Sequence, residues 1–160
     1  MKSYSSVTNA IDAVINIALA EVGYLEKASG VNLYNKTANA GNKNYTKYGY
    51  EMNKIYPAVM DYPAYWCDSF VDWCFYKAFD VCNAKKVLCG DFDDYTIASA
   101  QLYKNKGAWY TSKPQRGDQI FFTNGKRICH TGLVYKVDSK YIYTVEGNTS
   151  DGTAVVPNGG

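Results

Sequence analysis

The chain has 160 residues, 47% of them apolar and 20% charged, with a formal net charge of +2. That suits one soluble domain able to bury roughly 70% of the surface its unfolded form exposes. No run of Lys and Arg exceeds Lys85-Lys86, so no concentrated basic face points to nucleic acid. No apolar stretch approaches the ~20 residues needed to cross a bilayer, and Asp12, Asn16 and Glu21 interrupt the N-terminal apolar residues, so neither membrane insertion nor a secretion signal is expected. Five cysteines, Cys67, Cys74, Cys82, Cys89 and Cys129, include no C-x-x-C pair. They read as mostly reduced, buried small apolar residues of a protein made in a reducing cytoplasm.

In chain order, residues 6–22 carry Val7, Ile11, Val14, Ile15, Ala18 and Val22 at helical spacing, with Gly23 as a stop. Residues 28–50 are rich in Asn and Gly and predict a loop. A second helix is expected over 66–79, with Phe70, Val71, Cys74, Phe75, Ala78 and Phe79 on an apolar stripe. A third, over 93–104, has Asp93 or Asp94 as its cap. After Gly107 the pattern turns to short strands at 119–123, 131–137 and 141–146, with a last run at 154–156. Helices first and a mostly antiparallel sheet after them predict an α+β domain over 1–160. The abrupt stop at Gly160 is what a module cut from a longer chain would show.

Chemistry concentrates in four places. Cys67 falls in the first turn of the helix at 66–79, where free backbone N–H groups and the helix dipole favour a thiolate and could stabilise an oxyanion. His130, the single histidine, begins a strand. Glu146 and Asn148 close the next strand, two residues apart, so an extended backbone would point both to one face. A hairpin turning near Asp138 could bring Glu146 to the imidazole as the orienting third group of a triad. In Pro114-Gln-Arg-Gly-Asp118, Asp118 is placed to hydrogen-bond across a turn that feeds a buried strand, which makes an adhesion reading of Arg-Gly-Asp weak.

Together these residues resemble the CHAP family, the cysteine- and histidine-dependent amidohydrolase/peptidase domains. The resemblance rests on Trp66-Cys67-Asp68-Ser69-Phe70-Val71-Asp72-Trp73-Cys74, then Pro114–Asp118, then His130-Thr-Gly-Leu-Val, then Val145-Glu-Gly-Asn148, in that order. It implies a papain-like fold with N-terminal helices packed on the sheet, and hydrolysis of bacterial peptidoglycan by an amidase or a peptide endopeptidase. Cys67 would be nucleophile, His130 base, and Glu146 and Asn148 the supporting polar groups. Trp66, Tyr65 and Tyr48 are expected as groove walls, with core packing equally open for Trp66. Some members hold calcium in an acidic loop ahead of the cysteine; here the matching stretch 39–48 carries Asn and Lys, so no cofactor or metal is expected. Many members are phage endolysins, which fits a monomer made without a signal peptide and acting on Gram-positive walls after release. Two other readings stay open: a wall-binding module without activity, and a cysteine amidohydrolase acting on a non-wall amide.

Overall fold

A computed structural model describes residues 2–150. Five helices and three strands follow in order: α1 Val7–Ala20, α2 Lys47–Ile55, α3 Cys67–Phe79, α4 Val81–Val87, α5 Thr96–Asn105, β1 Gln119–Thr123, β2 Ile128–Val137 and β3 Ile142–Val145. The strands form one antiparallel sheet in the order β1-β2-β3. The α+β arrangement is therefore as expected, and the 154–156 run lies outside the described residues.

α3 is the hub, packed against α1, α2, α4 and β2. The stripe predicted for it is too narrow. Every residue from Cys67 to Phe75 is buried, including Asp68, Ser69 and Asp72, because elements surround the helix on all sides. Trp66, Phe70, Val71 and Trp73 meet Val14, Ile15, Tyr48, Met52 and Leu133 in one continuous core.

Three expectations need correction. The segment taken for loop holds α2 from Lys47, capped by Thr46, whose hydroxyl accepts from Gly49 N–H at 3.1 Å. Neither Asp93 nor Asp94 caps α5: the boundary residue is Tyr95, Asp93 accepts from Tyr95 N–H, and Asp94 accepts from Asp61 N–H. Of the five cysteines, all free, only Cys67 and Cys74 are buried, while Cys82 and Cys129 are exposed.

The loop before α2 is fastened from within. Lys27, fully buried, donates from Nζ to the Lys36 carbonyl at 2.8 Å and lies 4.5 Å from the centre of the Tyr24 ring. Its backbone N–H donates to the Tyr45 carbonyl. Desolvation holds its pKa below the usual lysine value.

A candidate active site between α3 and the hairpin

Trp66 is the boundary residue of α3, so Cys67 is its first helical position. No side chain among the described residues caps this end, and the first-turn N–H groups lack the partner a Ser or Asp would supply. Cys67 itself is 6% exposed.

His130 lies within β2, opposite Phe122 of β1 in register, and the two rings sit 5.6 Å apart. Its Nε2 is 2.7 Å from Glu146 Oε2, and the ring lies close enough to the Cys67 side chain for the two to interact electrostatically. With Nε2 engaged by Glu146, Nδ1 is the nitrogen left for sulfur. The His130 and Glu146 side chains each keep 21% exposure, so the pair opens to solvent while the thiol sits below. Burial pulls the His130 pKa down, but the interactions with Cys67 and Glu146 outweigh it and raise the value to about 9. Glu146 is held below the usual carboxylate range, chiefly by His130, against the upward push of burial. Its other oxygen, Oε1, accepts from the Thr144 hydroxyl at 2.5 Å.

The chain neighbours of these three residues are clamped to one another. Gly132 shares His130's face of β2 by the two-residue period. A Cβ there would lie 2.5 Å from Glu146 Cγ, so only glycine lets the glutamate cross the strand to the imidazole. A Cβ on Gly147 would lie 2.5 Å from the Trp66 ring, which brings the residue after Glu146 onto the residue before Cys67. Trp66 in turn donates from Nε1 to Glu26 Oε2 at 3.0 Å. On the other side, Gln119 Nε2 donates to Asp68 Oδ1 at 3.0 Å and to Thr131 Oγ1 at 3.1 Å. One amide thus joins the residue after Cys67 to the residue after His130. Ser99 and Tyr103 of α5 complete the network, Ser99 donating to Asp68 Oδ2 and Tyr103 to Gln119 Oε1.

Asp68 and Asp72, one helical turn apart and fully enclosed, are both raised by desolvation, Asp68 to about 7 and Asp72 well above its ordinary value. Asp72 accepts from Asp93 N–H at 3.0 Å.

The structure thus unites Cys67, His130 and Glu146. Asn148 is different. β3 ends at Val145, and Asn148 has a left-handed φ of 57°, so the extended two-residue period does not reach it. Its Oδ1 is buried without a partner among the described residues, and the polar support for His130 comes from Glu146. Tyr48 is fully buried, stacked on Trp66 at 5.3 Å, with its hydroxyl donating to Glu21; with Trp66 it lines a cavity of about 350 Å³ that Glu146 and Gly147 also line. Trp66, 2% exposed, is a core residue as well. Tyr65 alone of the three stands out, at 74% exposure. Among the described residues no group of three or more His, Cys, Asp or Glu could hold a metal ion.

Arg-Gly-Asp is used inside the fold. Arg116 pairs with Asp12 and donates to the Tyr135 carbonyl, Gly117 N–H bonds to Val134, and Asp118 accepts from Gln115 N–H across the turn, as expected.

A family model described as the CHAP domain matches residues 57–148, from just before α3 to Asn148. The chain belongs to the CHAP family. CHAP domains are hydrolases of the amidohydrolase/peptidase type, so a hydrolytic enzyme acting on amide bonds is the class to which this chain belongs. No significant match was found among curated proteins or solved structures. Sequence reasoning passed over Asp68, Gln119, Gly132 and Glu26 as site-building residues. The signals were present in part: a Gly two residues after the only His, and two Asp at helical spacing beside the Cys that starts α3.

Proposed function

We propose that this CHAP domain is a peptidoglycan hydrolase that cuts a cell-wall amide through a Cys67 thiolate. The observation that carries the reading is Cys67 at the uncapped start of α3, within interaction range of His130, whose Nε2 is held by Glu146. His130 takes the proton of Cys67 and, with its pKa raised to about 9, keeps it at neutral pH. Sulfur attacks the carbonyl carbon, and first-turn N–H groups of α3 face the charge that develops on oxygen. The C–N bond breaks, the imidazolium gives its proton to the departing amine, and a thioester is left on Cys67. Water, deprotonated by the same imidazole, then releases the acid. Glu146 fixes the tautomer and balances the imidazolium.

The cleaved bond is either the N-acetylmuramoyl-L-alanine linkage or a bond of the stem or cross-bridge. The fold is papain-like in this reading, Asn148 lends polarity behind Glu146, and Tyr65 borders the groove. The setting is a monomer of endolysin type, made in the cytoplasm and acting on Gram-positive walls. Digestion of purified peptidoglycan by the wild type and by Cys67→Ala, with mass spectrometry of the fragments, tests it. Free stems beginning at L-alanine mean amidase, and opened bridges or cut stems mean endopeptidase. Equal release by both proteins, or release by neither, overturns the reading.

A further inference from the structure

A cleft of about 470 Å³ lies ahead of α3 and is walled by Tyr34, Tyr50 and Tyr62 with Asn32, Asn35 and Gly30. No charged side chain lines it. The Tyr34 ring is 63% exposed, while burial of its hydroxyl and the neighbouring Glu51 carboxylate raise that hydroxyl's pKa. Tyr62 packs edge-on against Tyr45 and tilted against Tyr50, both at 5.6 Å. Its hydroxyl is buried and has no hydrogen-bond partner among the described residues. Buried hydroxyls are normally satisfied. This one lies beneath the glycine lip of the cleft, 3.9 Å from where a Cβ of Gly30 would sit.

We propose that this cleft is a carbohydrate subsite, seating N-acetylated sugar rings of the glycan strand on the Tyr34 ring, against Tyr50, while the attached peptide reaches Cys67. The inference rests on the wall-hydrolase reading and deepens it. A pyranose ring has an apolar C–H face and a rim of hydroxyls and amides. The tyrosine rings and two Asn side chains match that amphipathic pattern. A stem peptide carries free carboxylates and an amine; no lining residue is charged, and the cation at the cleft is Lys54, whose Nζ stands 4.2 Å from the centre of the Tyr50 ring and leaves Tyr34 as the open stacking face. Position agrees: Tyr62 stands five residues ahead of Cys67, on the segment that leads into α3. The opposite wall belongs to the loop whose Glu26 holds Trp66.

The probe is the N-acetylglucosamine tetramer, titrated calorimetrically into the full chain; it contains no peptide and needs no catalysis. The wild type is expected to bind it, Tyr34→Ala and Tyr50→Ala to lose roughly 5- to 10-fold in affinity, and Tyr34→Phe to keep it, because the ring does the stacking. Tyr141→Ala, an exposed tyrosine on the β2–β3 hairpin, serves as a control that leaves binding unchanged. On wall fragments Tyr34→Ala should raise KM with kcat retained. The exposure of Tyr34 keeps that variant folded, which its melting curve checks. No binding by the wild type, unchanged binding in Tyr34→Ala, or a loss confined to a stem pentapeptide would overturn the subsite. Sugar binding without wall release would instead remove the hydrolase reading and leave the sugar site standing.

Discussion

Replacing Gln119 with Leu keeps a side chain of similar size and removes the amide that joins Asp68 to Thr131. Asp68 would retain only Ser99, Tyr103 would lose its acceptor, and Thr131 would still donate to the Ile120 carbonyl. A hydrogen bond to a charged acceptor is worth about 1.5–3 kcal/mol, and an orphaned, half-buried hydroxyl about 1 more, giving a stability loss of about 3 kcal/mol. Urea unfolding should show it as a lower midpoint at unchanged slope. If the bridge also sets the approach of Cys67 to His130, kcat should fall roughly 10- to 100-fold with KM little changed, as expected when reacting groups are displaced by about an ångström. Ser99→Ala is the matched control. It removes one bond to Asp68 without touching β2, and should cost stability while sparing kcat. Two results would refute the reasoning: a Gln119→Leu protein within about 0.5 kcal/mol of wild type, or one that loses stability but keeps kcat.

Gly132→Ala should abolish most activity with modest loss of stability, because the added methyl displaces Glu146 from His130; amide cleavage and a melting curve read the two effects separately. Glu146→Gln removes a group that holds the proton on His130, so the pKa should fall from about 9 towards the ordinary value, and NMR titration of the single imidazole follows it directly. In the wild type the stabilising contribution of charged His130 is complete below the ordinary imidazole pKa and is lost as pH rises through about 9; in the variant it is lost earlier. Burial raises Asp68 and Asp72, so their linkage favours the fold at acid pH, and stability should decline as pH climbs through about 7. Asp72→Asn can still accept from Asp93 N–H. It should flatten that decline and stabilise the protein at pH 8 by about 1.4 kcal/mol for each pKa unit relieved, and an unchanged melting temperature at that pH would contradict the assignment.

Where the sequence was legible, a periodic signal or a chemically singular residue stood behind it. α1 and α3 are long and apolar at helical spacing, and β1 to β3 follow turn residues, so both halves could be read. Cys67 and His130 were found because one begins a helix and the other is the only imidazole. α2 was hidden by its composition: Tyr48, Gly49, Tyr50 and Asn53 have weak helix propensity, and packing of Tyr48 and Met52 against α3 supplies what propensity lacks. α4 is only seven residues long, too short for a periodic signature. The argument that Glu146 and Asn148 share one face failed because strand periodicity was extended past the end of β3. The Asp68–Gln119–Thr131 bridge joins residues 51 and 12 positions apart, and no local pattern announces such a link.

The seam on which the site is built also sets when it can exist. Cys67 belongs to the helical half of the chain and His130 and Glu146 to the hairpin, 63 and 79 residues later. During synthesis the nucleophile therefore emerges long before its base and orienter. Catalytic competence should be the last property acquired, because the ends of a long loop must meet before the contacts that reward closure can form. The same holds in reverse. A transient opening of the hairpin that leaves every helix intact would separate sulfur from imidazole, so activity should vanish ahead of helical signal as the protein is warmed.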